Sequence, residues 1–367
     1  MNKNYPIYKT TFIDDMRSLV EEAAMNFPES IAISYKENYW DKDVKKVTFT
    51  QWRDDVRNLG TALIAEGLRE QNIAIVGENS YGWCCSFFGV MAIGAVTVPI
   101  DKELPAEDIG GIIGTTECKA VIYGKSAKAK IKELLQNDSM KSVEMLISVV
   151  PDGTFETSEL GGRTHVSLAQ LQEKGGKLYA DGDNSYYDYK IDTNKLASIV
   201  FTSGTTGKGK GVMLSQANIG LDMTLGMYNF DITRKTLHVL PPHHTFGSTV
   251  NYVGHLSQGC EVYICPNVMP KFGVLNIEPT QNQIRDIFLN RIIQAKGLSK
   301  ACTLLSDIMM PTPSAVLQAM NLLAQGCEGE SGIGQLVAVD VGGATTDIYS
   351  IADGMPEHMN TVFKGLP

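Results

Sequence analysis

The stretch of the chain best suited to chemistry is LASIVFTSGTTGKGKGVMLS, which runs from Leu196 to Ser215. Apolar residues flank a loop of small residues, hydroxyls and lysines. Its glycines allow positive φ and a close approach of the backbone to an anion. We therefore predict a strand, a phosphate-binding loop and a second strand, although a solvated turn is the alternative for this composition. The predicted phosphate contacts are Thr202, Ser203, Gly204, Thr205, Thr206, Gly207, Lys208, Lys210 and Gly211.

The order of residues in this loop separates it from two common nucleotide motifs. A Walker loop needs a hydroxyl after its lysine, whereas Gly211 follows Lys210, and the G-x-G-x-x-G spacing is absent. The run FTSGTTGKGKGV instead resembles the phosphate-binding signature of the adenylate-forming superfamily, which includes acyl-CoA synthetases, peptide-synthetase adenylation domains and luciferases. Gly209 stands where many members carry proline. The resemblance implies contact with the phosphates of ATP.

Two adjacent histidines, His243 and His244, follow a predicted strand at Thr236 to Leu240, in the segment PPHHTFG. Histidine pairs can bind metals, but no carboxylate or cysteine lies at helical spacing from this pair, and we predict no metal site. Adenylate-forming enzymes carry a similar segment near the acyl pocket. The resemblance places His244 on the family's histidine, as a catalytic residue, and His243 on its aromatic position.

Alternating strand and helix patterns must position these residues. Strands at Ile73 to Val76, Thr97 to Ile100 and Ala120 to Tyr123 alternate with helical patterns, which predicts a parallel α/β layer. Apolar spacing also predicts a helix from Phe12 to Phe27. We predict that residues 151–192 form a loop region with one short helix near Leu168. The predicted fold class is α/β, an incomplete adenylate-forming large N-terminal domain with parallel βαβ layers.

The family pattern disappears after about Pro266. The resemblance implies a Y-G-x-T-E strand, a T-G-D segment and a C-terminal lysine, and none of these follows. The remainder instead resembles the reactivating or accessory proteins of cobalamin-dependent glutamate mutase, which have an actin- or Hsp70-like ATPase fold. The segments that carry this resemblance are FGVLNIEPTQNQIRDIFLNRII, MMPTPSAVLQAMNLLAQG and GQLVAVDVGGATTDIYSI. The implied phosphate motif comprises Asp340, Gly342, Gly343, Thr345, Thr346 and Asp347.

The two resemblances divide the chain into residues 1–266 and residues 267–367. We expect each part to be incomplete relative to the family that it resembles. Our first hypothesis is ATP-dependent activation of a carboxylic acid, of the long-chain fatty-acid type, with Mg²⁺ and CoA, impaired by truncation. The alternatives are an ATP-dependent, chaperone-like reactivator of a cobalamin mutase and a non-functional fused reading frame.

Composition narrows the remaining possibilities. The 367 residues carry a net charge of −9, which argues against a nonspecific nucleic-acid binder. Seven scattered cysteines form no C-x-x-C spacing, so we expect buried, reduced thiols. The N-terminus lacks an apolar run, and no stretch is long and apolar enough to cross a membrane. We therefore expect a cytoplasmic protein.

Overall fold

The computed structural model describes residues 12–37, 41–150, 155, 158–202, 210–229, 232–265, 312–327, 329–341 and 346–352. The chain divides into two compact units, Met1–Ile284 and Arg285–Pro367.

Helices and strands alternate through much of the first unit. The described α-helices are α1 (Met16–Asn26), α2 (Phe49–Ala65), α3 (Tyr81–Met91), α4 (Ala106–Thr115), α5 (Lys128–Leu134), α6 (Leu168–Ala180), α7 (Ser185–Asp188), α8 (Gln216–Asn229) and α9 (His255–Ser257). A π-helix, Phe246–Gly254, precedes α9. The strands are β1 (Ile31–Tyr35), β2 (Lys45–Thr48), β3 (Asn72–Val76), β4 (Val96–Ile100), β5 (Ala120–Tyr123), β6 (Met145–Ser148), β7 (Thr164–Ser167), β8 (Leu196–Thr202), β9 (Lys210–Ser215), β10 (Lys235–His238) and β11 (Glu261–Ile264).

A seven-stranded sheet with the order β7-β6-β5-β3-β4-β8-β9 forms the centre of this unit. Its strands are parallel except for β9, which pairs antiparallel with β8 at one edge. Buried side chains from α2 and α3 pack in one core cluster, and those from α4 pack in another. Helices therefore cover both faces, as parallel sheets require, and the predicted α/β layer is confirmed.

A four-stranded sheet with the order β10-β11-β1-β2 joins distant parts of the sequence. Strand β11 lies between β1 and β10 and runs parallel to both, with Ile33 opposite Val262. Both of these residues are fully buried in the same core cluster as the helices α2 and α3. The start of the chain and the segment after the histidine pair are thus parts of one core.

Local caps set the ends of the first two helices. Asp15 accepts a hydrogen bond from the backbone of Ser18 at the start of α1, and the apolar face of α1 is buried as predicted. Thr48 and Gln51 form a capping box at the start of α2. Phe49 is therefore the first residue of a helix.

The helix predicted near Leu168 is confirmed, since α6 begins at that residue, but the prediction of a loop for most of residues 151–192 is wrong. This part of the chain contains β7, the thirteen-residue helix α6 and the short helix α7. Ser167 and Gln170 form a capping box, which starts α6 directly after β7. Gly175 is buried against α2, where a Cβ atom would lie 1.7 Å from the carbonyl oxygen of Asn58. The glycine that suggested a loop instead lets two helices approach closely.

The second unit contains a helix against a hairpin. Its described elements are α10 (Thr312–Gln325), β12 (Gly326–Cys327), β13 (Glu330–Ser331), β14 (Leu336–Val341) and β15 (Thr346–Ile351). Strands β14 and β15 pair antiparallel, and Ala324 and Tyr349 are buried. Cys327 is exposed, which contradicts the expectation of buried thiols, whereas Cys84, Cys85, Cys118, Cys260 and Cys265 are buried.

The close contact at Gly175 generates a stability prediction. Gly175→Ala should lower the free energy of unfolding by about 2–3 kcal/mol, because the new methyl group must push α6 away from α2. Urea unfolding followed by tryptophan fluorescence measures this effect in the first unit, since the chain's three tryptophans (Trp40, Trp52 and Trp83) all lie there.

Gly111→Ala is the matched control. Gly111 also lies in a helix, but a Cβ atom there would meet nothing within 4 Å. This substitution should be neutral or stabilise by about 0.5–1 kcal/mol. Equal stability of the Gly175→Ala variant and the wild-type protein would contradict the proposed close packing.

Candidate active site

The carboxyl ends of β4 and β8 lie side by side. The strands are parallel with Thr97 opposite Ser198, so Asp101 and Thr202, each four positions further along, reach the same edge of the sheet. Thr202 also pairs with Lys210 of β9, and its hydroxyl donates to the Lys210 carbonyl at 3.5 Å. Both ends of the predicted phosphate loop are therefore held together at this edge.

Most of the predicted loop, Ser203 to Gly209, lies outside the described residues. Gly211 is described, and it lies within β9 opposite Phe201. A Cβ atom at Gly211 would come within 2.9 Å of the Ile199 side chain and 3.3 Å of the Phe201 ring. The absence of a side chain at Gly211 thus permits close packing between β8 and β9.

The histidine pair follows β10, which ends at His238 rather than at the predicted Leu240. His244 is exposed, and the backbone N–H of Phe246 donates to its Nδ1 atom at 3.2 Å. A neutral His244 therefore carries its proton on Nε2. Its backbone carbonyl accepts from Ser248 at 3.0 Å, which ties this turn to the π-helix. The turn thus holds the His244 ring at the surface, with Nδ1 as an acceptor.

His243 connects the same turn to the seven-stranded sheet. Its Nε2 atom lies 3.6 Å from an Asp101 carboxylate oxygen, and its side chain is 20% exposed. Burial lowers the pKa of His243, although the charge of Asp101 opposes this change. The segment at residues 241–247, which we call the histidine turn, therefore contacts the carboxyl end of β4, and β4 is the neighbour of β8 in the sheet. Among the described residues, no group of three or more His, Cys, Asp or Glu side chains could hold a metal ion.

A buried polar network lies beneath the histidine turn. The Asn79 amide donates to the His238 carbonyl at 2.9 Å and accepts from the Tyr252 hydroxyl at 2.6 Å. The Asn251 amide nitrogen lies 2.8 Å from His238 Nδ1. Asn79 follows β3, so these bonds connect the carboxyl ends of β3 and β10. Our sequence analysis missed this network, because single polar residues in apolar surroundings give no periodic signal.

Desolvation controls the charge of His238. The ring is fully buried, and burial lowers its pKa to about 3, with a smaller contribution from nearby His255. His238 is therefore neutral at pH 7. With the amide of Asn251 donating to Nδ1, the proton lies on Nε2, which has no hydrogen-bond partner within the described part of the chain.

Aromatic rings extend this network into the core. His238 meets Tyr252 edge to face at 4.4 Å, Tyr252 stacks on Trp83 at 6.0 Å, and Trp83 stacks on Phe87 at 5.3 Å between centroids. We call these four residues the ring column. None of them is more than 2% exposed. Trp83 and Phe87 are therefore packing residues of the core.

The second predicted phosphate motif lies where the chain passes from β14 to β15. Asp340 pairs with Asp347, and Val341 pairs with Thr346. Gly342, Gly343 and Thr345 lie outside the described residues. The structure thus brings Asp340, Thr346 and Asp347 to the two ends of the predicted turn, with two carboxylates on directly opposed positions.

Comparisons with known proteins find two families in the chain. An AMP-binding enzyme profile matches residues 20–284, and a MutL protein profile matches residues 253–367. The protein MutL from Clostridium tetanomorphum is 50% identical over 266 residues, covering 69% of this chain and 54% of that protein. A mitochondrial medium-chain acyl-CoA ligase from Danio rerio is 25% identical over 261 residues, covering 67% of this chain and 41% of that protein.

Solved structures share the fold of the first unit. A long-chain-fatty-acid-CoA ligase from Archaeoglobus fulgidus superposes with a TM-score of 0.59 at 18% identity, covering 78% of this chain and 52% of that chain. The two sheets and their order thus define the adenylate-forming class of α/β domain. The chain belongs to the AMP-binding enzyme family, and a MutL-family segment follows. It spans about half the length of the curated relatives it matches.

The comparisons confirm both resemblances. The predicted boundary at 266/267 stays a prediction: the two family matches overlap from residue 253 to 284, and the compact units meet between Ile284 and Arg285. Within the described residues, no helix has the length and apolar character needed to cross a membrane.

The depressed pKa of His238 generates a prediction about pH. In the unfolded chain this histidine gains a proton below about pH 6.5, whereas in the folded protein it stays neutral down to about pH 3. Its contribution to stability is complete above pH 6.5 and is lost as the pH falls towards 3. Between pH 7 and pH 5, the free energy of unfolding should therefore fall by about 2 kcal/mol less in the His238→Gln variant than in the wild-type protein.

Urea titrations of both proteins at several pH values measure this difference. His243 and His255, whose pKa values burial also lowers, are present in both proteins, so the comparison isolates His238. The same acid dependence in the two proteins would show that His238 is not buried in the neutral form.

Proposed function

We propose that the first unit activates a carboxylic acid of the fatty-acid class with ATP and CoA. A carboxylate oxygen attacks the α-phosphorus of Mg-ATP, forming an acyl-adenylate while the bond to the β-phosphate oxygen breaks and pyrophosphate leaves. The CoA thiolate then attacks the acyl carbon, forming a thioester and releasing AMP. Family membership and acyl-CoA ligase relatives support this reaction class.

One observation supports the site most strongly. The register of β4 and β8 puts Asp101 and Thr202 at one edge, and His243 lies 3.6 Å from Asp101. The ends of the phosphate loop and the histidine turn thereby meet at the carboxyl edge of a parallel sheet. Ligands of open α/β sheets bind at this edge.

The phosphate loop would act electrostatically on Mg-ATP. Its backbone N–H groups and hydroxyls, from Thr202 to Gly211, would donate to the β- and γ-phosphates. The positive charges of Lys208 and Lys210 would stabilise the pyrophosphate as it leaves. Pairing of Thr202 with Lys210 fixes both ends of the loop before the nucleotide binds, which reduces the entropy lost on binding.

The histidine turn would orient the acid. His244 has a fixed acceptor on Nδ1, so its Nε2–H group can donate to the carboxylate or to the acyl-adenylate. The pair of His243 and Asp101 would hold this turn at the nucleotide edge. Nearby apolar side chains that remain exposed would contact the acyl group; these are Val239, Leu240 and Phe246.

A second candidate function rests on the MutL-family segment. The segment would bind ATP at the β14–β15 turn and act as a chaperone-like reactivator of a cobalamin-dependent mutase. Asp340 would hold a water bound to Mg²⁺, with Gly342, Gly343, Thr345, Thr346 and Asp347 around the phosphates. The 50% identity to the Clostridium tetanomorphum protein favours this candidate.

ATP–pyrophosphate exchange separates the two candidates. Carboxylate activation predicts exchange that requires an acid, and Lys210→Ala should lower kcat/KM by roughly 10- to 100-fold because a charge near the leaving pyrophosphate is lost. Lys235→Ala is the matched control. Lys235 is the first residue of β10, at the end of the strand away from the histidine turn, and its ammonium group pairs with the Glu261 carboxylate at 2.9 Å. It should leave the exchange unchanged.

The outcomes distinguish the two functions. ATP hydrolysis that needs no acid and increases with a cobalamin mutase would favour the second candidate. Acid-dependent exchange that is equally fast in the wild-type and Lys210→Ala proteins would contradict the role given to the phosphate loop.

A further inference from the structure

A cavity lies between α1 and the end of α9, and none of its residues belongs to the candidate active site. Its volume is about 130 Å³, and it is lined by residues before α1, by one face of that helix, and by Ser257 and Gln258. Phe12, which also lines it, is 51% exposed, so a small molecule can enter from solvent. We propose that this α1–α9 cavity binds a protonated primary amine with a short apolar chain.

One face of α1 supplies a polar wall of the cavity. Ser18, Glu22 and Asn26 all line it, and their spacing of four residues puts them in a row along the helix. The Ser18 hydroxyl donates to the Asp15 carboxylate at 2.8 Å, so its oxygen can serve other groups only as an acceptor. The wall therefore offers a carboxylate, a hydroxyl oxygen and an amide oxygen to a hydrogen-bond donor.

Two carboxylates at the cavity have no positive partner. Asp14 and Glu22 form no ion pair within the described part of the chain, whereas the neighbouring Glu21 pairs with Arg53 at 3.5 Å. No Lys, Arg or His is among the residues that line the cavity, all of which the structure describes. The cavity thus has two negative groups and no cation to offset them, which favours a positively charged ligand.

Two helix ends add to this negative potential. Helix α1 ends at Asn26 with Phe27 as its C-cap, and α9 ends at Ser257 with Gln258 as its C-cap. Because α9 follows the π-helix directly, the two form one helical run from residue 246 to residue 257. All four of the terminal residues line the cavity. The C-terminal end of a helix stabilises a cation, and this backbone contribution is independent of the two carboxylates.

Apolar surface in the cavity indicates an organic cation. Phe12, Leu19 and Phe27 line it, and an alkyl chain would leave water by packing against them. A Cβ atom on Gly259 would come within 2.6 Å of the Phe27 ring, so close packing holds that ring in place. Among the described residues, no group of three or more His, Cys, Asp or Glu side chains could hold a metal ion. An ammonium group instead needs acceptors for three N–H bonds, which the wall of α1 supplies.

Butylamine tests the proposal on the full chain. Urea unfolding is followed by tryptophan fluorescence at pH 7 with about 10 mM butylamine hydrochloride, and with NaCl at the same ionic strength as the reference. A ligand with so few atoms should have a dissociation constant on the order of 1 mM. The equilibrium constant for folding should then rise about elevenfold. 1-Butanol, which has a similar shape and no charge, should leave it unchanged.

Two neighbouring residues of α1 provide a variant and its matched control. Glu22→Gln keeps the shape of the side chain and removes its charge, so the amine should bind about tenfold more weakly and raise the folding constant only about twofold. Glu21→Gln makes the same chemical change at the residue that pairs with Arg53, and it should keep the elevenfold effect. Each protein is compared with itself with and without the amine, so a change in its basal stability cancels.

The outcomes separate a cation site from other effects. No stabilisation by butylamine, or equal stabilisation by 1-butanol, would overturn the proposal. An equal response of the Glu22→Gln and Glu21→Gln variants would show that the amine acts elsewhere. If Glu22→Gln does not unfold cooperatively, Asp14→Asn replaces it, because Asp14 is exposed before α1 and its loss should also weaken the effect. These measurements involve neither ATP nor an acid, so their result leaves the proposed function untouched.

Discussion

The arrangement of the first unit depends on the buried side chain of Asn79. Its amide donates to the last carbonyl of β10 and its oxygen accepts from Tyr252 of the π-helix, so a single side chain in the segment after β3 fixes both β10 and the π-helix. Asn79 is 3% exposed, and in such a place an unmade hydrogen bond is costly. The histidine turn starts immediately beyond the carbonyl that Asn79 holds, and its position follows from this contact.

Burial and exposure give the histidines of this region different properties. His238 is buried and stays neutral because water cannot stabilise its charge, so it acts as a packed ring. His244, six positions later, is exposed and is oriented by a backbone N–H group. The nine-residue π-helix that follows has buried polar side chains, Ser248, Thr249 and Asn251, along its length. Irregular helices of this kind occur often at functional sites.

Much of this arrangement could be predicted from the sequence, and the exceptions have physical reasons. Apolar periodicity gave α1 and the strand and helix alternation from β3 to β5, since burial on one face leaves a repeat in the sequence. The same reasoning placed a helix near Leu168 but made it too short, because glycines at a tight helix contact look like glycines in a loop. It could not find the contact of His243 with Asp101, which depends on strand order and not on local sequence.

Family membership and the local packing around the histidine turn depend on different features of the molecule. The sheet order, and the residues 20–284 that match the AMP-binding profile, define a scaffold that many acid ligases share. Within this scaffold a histidine on β10 continues an aromatic stack up to the histidine turn. The order of the strands thus accounts for the family match, whereas buried side chains hold the histidine turn at the end of β10.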